Sequence, residues 1–410
     1  MTQPTPARLA EWEAQLSETS RKHLNQAVEQ IVAVKQRGGA VVAVTGSGPN
    51  IHEGITTLIA ELIQKGIIDG VLTSSAVVAH EMAGTLDRVK RIRAADHPEL
   101  QLPPDLLPRG GVFEITELTS AGRAAIQDEM AEAWKLYDRI AAIPGDIIIK
   151  AAGNMAWPMG PRTERLAREV EAIAREAGVP FERIAGSAAD PYTMIGAGAR
   201  RGVPVLVSIP QLVGGGAVGL AIGDAISITR RARLVAETLA AADVIVESAI
   251  ALSQEIHDGP YETYTGHGIW SAWEGEFSYS LRGKTLVRID LDPNLEKAWL
   301  QERQSAQVQE AVDRGLPKTK ITGIPFRMEM SGFARLESSL PVTADIGFAW
   351  PILAARVAGK LGVALDFLSA PQETPEGKEM REWICENVRP LDRARMHEAM
   401  RALRAATGDS

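Results

Sequence analysis

Apolar residues recur mainly at spacings of three and four between Ala7 and Arg37, at Leu9, Trp12, Leu16, Leu24, Ala27, Ile31 and Val34. That period predicts a helix, and Gly38-Gly39 ends it. The pattern then changes. Ala40 to Val44 is an unbroken apolar, β-branched run of the kind buried on both faces of a parallel sheet. The turn Gly46-Ser47-Gly48-Pro49-Asn50 follows it and opens into a helix from about Gly54 to Lys65. Asp69 to Leu72 reads as a second strand that leaves through Thr73-Ser74-Ser75 into a helical stretch from Ala76 to Ala83. Strand, small-residue turn and helix thus occur twice in succession, which requires crossover connections and builds a doubly wound sheet.

Further strands are predicted over Asp146 to Lys150, Val203 to Ser208, Asp243 to Glu247 and Thr285 to Asp290, with helices over Arg162 to Ala177, Met194 to Arg201 and Ala225 to Ala241. The expected fold class is therefore α/β, a doubly wound, mostly parallel, Rossmann-like sheet of about six strands. Residues 39–370 form that block, preceded by a helical arm over 1–38 and followed by a helical tail over 371–410. Segments 85–112 and 291–340 read as insertions.

Composition narrows the function. A formal charge of -8 leaves no overall basic field for a nucleic acid, and the Arg200-Arg201 and Arg230-Arg231 pairs fit helix surfaces better than a phosphate-tracking stripe. Cys385 is the single cysteine, which excludes an intrachain disulfide and a Cys-based zinc cluster and is expected to be a partly buried thiol in a late helix. The seven histidines show neither HxH nor HExxH spacing, so no metal site is expected. The first residues are polar and acidic, unlike a secretory leader, and no run approaches the roughly 18 apolar residues of a membrane span. A cytoplasmic protein with no membrane partner is the expectation.

The turns carry the candidate chemistry. A strand-to-helix turn free of bulky side chains offers unpaired N–H groups and a partial positive charge to a pyrophosphate, and Gly46, Ser47, Gly48 and Asn50 meet that requirement, although their spacing departs from GxGxxG. Thr73, Ser74 and Ser75 place hydroxyls at the next strand exit, and Glu81 lies where a carboxylate would meet ribose hydroxyls; a solvated Glu beside a surface His80 is the plainer alternative. After the strand ending at Ser208, Gly214, Gly215 and Gly216 leave the backbone open to a ligand or form a mobile lid.

Several segments, in the same order, resemble a known family. They are His52-Glu53-Gly54, Ser75 to Glu81, Gly202 to Ile209, Ala251 to His257, Val287-Arg-Ile-Asp290-Leu-Asp292-Pro293 and Val342-Thr-Ala-Asp345-Ile-Gly347. Together they are similar to the NAD-binding domain of the ornithine cyclodeaminase family, once described as bifunctional lysine-ketoglutarate reductase/saccharopine dehydrogenases, within the deoxyhypusine synthase-like fold. Deoxyhypusine synthase itself resembles the chain around Gly46 to Ala83 and Ala344 to Pro351. The resemblance spans about residues 40–365 and implies NAD as cofactor, with Gly48, Asn50, Ser75, Glu81 and Asp345 facing it, Asp290 and Asp292 at a strand exit beside it, His257 near the substrate, and a homotetramer. Two departures stand out: the N-terminal domain usual in the cyclodeaminase family is replaced by one helical arm, and the Trp-Gly-Lys that supplies the imine lysine of deoxyhypusine synthase is absent from Trp270-Ser-Ala-Trp273-Glu-Gly275. Lys284 is the nearest lysine in chain order.

Oxidising an amine on NAD requires a hydride acceptor, a base for the nitrogen proton and an anchor for the substrate. His257 fits the base, with Glu255 as a nearby carboxylate; Lys150, ending a predicted strand, fits a carboxylate anchor or an imine lysine. The stretch from Asp258 to Glu274 holds Tyr261, Tyr264, Trp270 and Trp273 although aromatics are 5% of the chain, and it suits an apolar wall for a cationic amine or a subunit interface. The leading expectation is an NAD-dependent enzyme that transiently oxidises a C–N bond of a small amino acid or amine, as ornithine cyclodeaminase does. The alternatives are an aminoalkyl transferase with Lys284 or Lys150 as imine former, and a non-catalytic nucleotide-binding protein.

Overall fold

The computed structural model describes residues 3–102, 111–127, 129, 134–153, 156–248, 281, 283–290 and 339–407, with scattered positions between 297 and 323. Its centre is a six-stranded sheet in the order β6-β2-β1-β7-β8-β9, parallel throughout. These strands are β1 (Val41–Thr45), β2 (Gly70–Thr73), β6 (Val205–Val207), β7 (Val244–Ser248), β8 (Thr285–Asp290) and β9 (Ser339–Thr343). The expected α/β, Rossmann-like, doubly wound architecture is thus the observed one.

Alternation along the strands sorts side chains onto two faces. Val41, Ala43, Val71, Val207, Val244, Val246, Val287 and Ile289 enter the larger core, with apolar residues of α2 (Glu18–Gln36), α4 (Ile55–Gln64), α5 (Ser75–Met82) and α13 (Ile346–Leu361). Val42, Val44, Leu72, Leu206, Ile245 and Leu286 face the other way, against Val235 and Leu239 of α12 (Ile228–Ala241). Burial on both sides is why β1 reads as a continuous apolar run.

Both sheet edges are blocked, as edge strands require. At β9, Ser20 exchanges hydrogen bonds with the Thr343 backbone at 3.0 and 3.1 Å, and His23 Nδ1 bonds the Pro341 carbonyl at 2.6 Å, so α2 lies along the strand. At β6, Glu182 of α9 (Phe181–Ala188) accepts from Val207 N–H at 2.7 Å, while Arg231 donates to the Val207 carbonyl at 3.1 Å and to Glu182 at 2.6 Å. A fully buried ion pair therefore takes the place of a seventh strand.

Three sequence expectations need correction. The helix predicted over Ala7 to Arg37 is two, α1 (Pro6–Ala14) and α2, because the Ser17 side chain accepts from Ser20 N–H and starts a new helix there. Segment 85–112 contains β3 (Leu86–Arg93), which pairs antiparallel with β4 (Val112–Thr116) and β5 (Asp146–Ala151) in a separate three-stranded sheet. The Asp146 to Lys150 run thus belongs to that small sheet, whose own core joins Ile92, Ile115, Tyr137 and Ile140, and β9 at the end of segment 291–340 is the sixth parallel strand. Between β5 and β6 run α8 (Met159–Ala177), α9 and α10 (Met194–Arg201); α11 (Ala217–Ala225) precedes α12, and α14 (Pro375–Asn387) and α15 (Arg393–Thr407) close the described chain. Among the described residues the other α-helices are α3 (Ser47–His52), α6 (Ser120–Gln127) and α7 (Trp134–Ala142). Among the described residues no helix is long and apolar enough to cross a membrane.

Candidate active site

In parallel sheets ligands sit at the carboxyl ends of the strands, where the chain reverses the direction in which strands are added. Here β2 and β6 lie on one side of β1, and β7, β8 and β9 on the other, so the reversal falls between β1 and β7. The Gly46 to Asn50 turn leaves β1 at that point. Asn50 is fully buried; its Nδ2 donates to the carbonyls of Gly46 at 2.5 Å and Ser248 at 3.2 Å, and its Oδ1 accepts from the Ser248 hydroxyl at 3.0 Å. The side chain ties the turn to the end of β7. Gly46 precedes α3 without a side-chain cap, and Gly48 follows it inside that helix.

The second and third turns meet at Ser75. Ser74 caps α5 by accepting from Val77 N–H at 3.2 Å. The Ser75 hydroxyl donates to the Gln211 carbonyl at 2.7 Å and accepts from Gly215 N–H at 2.8 Å. A β-carbon at Gly215 would stand 2.7 Å from the Ser75 carbonyl group, so that glycine serves close backbone packing, whereas Gly214 has open space around it. Gly216, at φ +58°, then leads into α11, whose first turn has no side-chain cap. The turns after β1, β2 and β6 accordingly share one edge of the sheet.

That edge carries buried hydroxyls. Thr45 and Thr73 end β1 and β2 on the face that α3 and α5 cover, both fully buried, and Ser208 follows β6 on the other face; none of the three hydroxyls has a hydrogen-bond partner among the described residues. Buried unpaired polar groups are uncommon and ask for a partner. Ribose hydroxyls and phosphate oxygens are partners of the right chemistry for such hydroxyls.

The remaining candidates are placed as follows. Asp345, at the exit of β9, caps α13 by accepting from Gly347 N–H at 2.8 Å. Glu81 is fully buried and both of its oxygens cap α10, from Met194 N–H at 2.7 Å and Ile195 N–H at 3.1 Å; burial pushes its carboxyl up to about 7. Its sequence-based role at a ribose gives way here to helix capping. Lys284 precedes β8 at the opposite, amino end of the sheet, where its Nζ donates to the Ala240 and Ala242 carbonyls at 2.5 Å each, and burial lowers its pKa. Chain order suggested it as the imine lysine, but strand direction puts it at the wrong edge. Lys150 is the penultimate residue of β5, in the small sheet rather than the main one, and its Nζ bonds Glu114 at 2.7 Å. His257, Glu255, Asp292, the aromatic stretch and the side chains of Ser47 and Asp290 lie outside the described residues.

Sequence reading missed the cluster that gathers around Lys150. His52, at the end of α3, receives a hydrogen bond at Nδ1 from Arg381 of α14 at 3.2 Å. Burial and the charges of Arg381 and Lys150 hold its pKa down at about 4. His80 of α5 donates from Nδ1 to the Ala152 carbonyl at 2.5 Å, and burial lowers its pKa too. Asp87, opposite Lys150 in the β3–β5 ladder, accepts from Gly153 N–H at 3.1 Å and is pushed up to about 7 by burial. Next to His52, Glu53 is buried against Gly347, accepts from Gln372 N–H at 2.8 Å, and is raised to about 7, chiefly by burial. His52 and Glu53 stood in the motif that carried the family resemblance; nothing in the C-terminal helices pointed to Arg381. Cys385 is a half-buried α14 thiol, pushed up to about 12 by burial. Among the described residues, no three His, Cys, Asp or Glu side chains are arranged to hold a metal ion.

No protein-family model and no curated protein matches the chain. Solved structures do. The apo form of ArgZ, an arginine dihydrolase of the cyanobacterial ornithine-ammonia cycle, is similar at 12% identity and TM-score 0.36 over 82% of this chain and 32% of that one. AgrE, solved as a ternary complex with ornithine and NAD+, is similar at 13% identity and TM-score 0.37 over 88% of this chain and 34% of its own. A conserved LOR/SDH protein of Methanococcus maripaludis gives 10% identity and TM-score 0.38 over 85% of this chain and 71% of its own. The chain thus spans about a third of the length of ArgZ and AgrE.

Proposed function

We propose that this protein is an NAD-dependent enzyme acting on a small amino acid or amine by transient oxidation of a C–N bond, in the manner of an ornithine cyclodeaminase. One observation carries the reading: the turns after β1, β2 and β6, joined by Asn50–Ser248 and by Ser75 with Gln211 and Gly215, share the carboxyl edge at the point of strand reversal. The unpartnered hydroxyls of Thr45, Thr73 and Ser208 at that edge support it, as does the family resemblance of the motifs.

Bound NAD would supply the hydride acceptor and return the hydride later in the cycle. The chain's part is to hold it and the substrate. Thr45, Thr73 and the uncapped first turn of α11 would bond its ribose and phosphate groups, with the Ser75 hydroxyl fixing the glycine turn against α5. His80 has its Nδ1 proton committed to the Ala152 carbonyl, so in its neutral form Nε2 carries a lone pair able to take a proton from a substrate nitrogen. His257 remains a second candidate for that role. An aminoalkyl transfer through Lys284 is disfavoured by its place at the amino end of the sheet.

Purified protein incubated with NAD and a panel of amino acids and amines tests the reading. The expected result is NAD binding by calorimetry and substrate-dependent release of ammonia without net consumption of NAD. Protein that neither binds NAD nor alters any member of the panel overturns it.

A further inference from the structure

Arg381 is a half-buried guanidinium that forms no ion pair among the described residues. Among the described residues no carboxylate lies within ion-pair distance of it; its Nη2 donates to the neutral acceptor Nδ1 of His52 and to the Ile149 carbonyl, and its Nε is buried with no partner. The carboxylates that act on it do so at a distance and are engaged elsewhere: Glu53 with Gln372 N–H, and Glu382 with Arg88. Burial lowers the Arg381 pKa, which reports the cost of holding this charge half-buried. A buried charge is normally paired, because removing it from water without compensation costs several kcal/mol, so an uncompensated one marks a place for an anion.

The neighbours add to that field. Lys150 acts electrostatically on both His52 and His80. Its partner Glu114 is shared, since Arg91 also bonds Glu114, at 2.9 Å. Lys150 and Arg91 thus share one carboxylate, while Asp87, raised to about 7 by burial, compensates Lys150 only in part. Arginine is always a donor, so His52 Nδ1 must accept and its proton sits on Nε2, leaving a second N–H donor beside the guanidinium. His52, Lys150 and Arg381 are each only partly buried.

We propose that His52, Lys150 and Arg381 form the seat for the carboxylate of an amino-acid substrate. The three come from α3, the end of β5 and α14, and α3 starts at the Gly46 turn, so its six residues put the seat about 9 Å along the helix from the strand-reversal point. A guanidinium, an ammonium and an imidazole N–H suit the two oxygens of a carboxylate. The inference deepens the proposed function and rests on it for the reaction, but binding to the seat is measurable by itself. It also separates amino acids from simple polyamines, which have no carboxylate to place there.

The test is calorimetry and thermal shift on the full chain, with and without NAD, using L-ornithine, L-lysine and L-arginine, their decarboxylated counterparts putrescine, cadaverine and agmatine, and inorganic phosphate. At least one amino acid is expected to bind at least tenfold more tightly than its decarboxylated counterpart. Arg381→Gln and Lys150→Met, each checked for wild-type melting behaviour, are expected to weaken that amino acid tenfold or more while NAD affinity stays as in wild type. Three results overturn the seat: no amino acid binds, the amines bind equally well, or both variants bind amino acids as wild type does. Phosphate binding that depends on Arg381 while amino acids do not bind also overturns it and reassigns the site. Failure of the NAD titration alone bears on the cofactor and leaves the seat standing.

Discussion

Asn50 and Ser248 bond each other reciprocally: the amide donates to the Ser248 carbonyl at 3.2 Å and its oxygen accepts the Ser248 hydroxyl at 3.0 Å. One side chain thereby fixes the distance between the ends of β1 and β7, the two strands that flank the strand reversal. The same amide closes the turn on the Gly46 carbonyl at 2.5 Å, so the turn cannot swing away from the sheet without breaking both bonds to Ser248.

Asn50→Ala leaves two carbonyls and one hydroxyl buried without partners, and is expected to cost about 1–3 kcal/mol in urea unfolding. It should also weaken NAD, because the turn loses its anchor. Asn50→Asp is expected to be worse than alanine, since a carboxylate would face two carbonyl oxygens and cannot donate to them. A stable Asn50→Asp variant with unchanged NAD affinity contradicts this role.

Glu81 makes stability depend on pH with a definite sign. Its folded pKa is raised from 4.5 to about 7 by burial, so between those values the folded state binds more protons than the unfolded one. Its contribution is complete below about pH 4.5 and is lost as pH rises through 7. Glu81→Gln removes that titration, so the stability of wild type relative to the variant should fall from pH 5 to pH 8. Melting temperatures measured across that range check it; a wild type that gains on the variant as pH rises refutes the assignment.

Glu182 and Arg231 are both essentially fully buried and bond each other while covering both polar groups of Val207. Arg231→Met strands the Glu182 charge and is expected to cost about 3–5 kcal/mol, whereas adding Glu182→Gln should recover part of it. Denaturant midpoints of the single and double variants decide the matter. A single variant within half a kcal/mol of wild type would show that the pair does not guard the β6 edge.

How much of this was legible in the sequence follows from what periodicity can carry. β1 and β2 declare themselves because both faces are buried, and the turns after them because they lack bulky side chains. The isoleucine run of β5 looks the same as a buried parallel strand, yet Ile147 is 54% exposed in the small antiparallel sheet; a short apolar run says nothing about which sheet takes it. β9 was hidden by Pro341, which an edge strand tolerates and a central strand does not. The break between α1 and α2 was masked because apolar spacing continues across it, and only the Ser17 cap marks it. The His52–Arg381 contact joins residues 329 positions apart, a distance no local pattern spans. Glu81 illustrates the opposite limit: the sequence shows an acid one turn inside a helix, and only packing reveals that it caps another helix.

The proposed function puts a dinucleotide at the carboxyl edge between β1 and β7. Hydrogen exchange of the purified chain with and without saturating NAD tests it most directly. Added protection is expected over residues 45–52, 73–79 and 211–218, and none over 281–285 at the opposite end of the sheet. Unchanged exchange in those three turns, or protection confined to the amino edge, would contradict it.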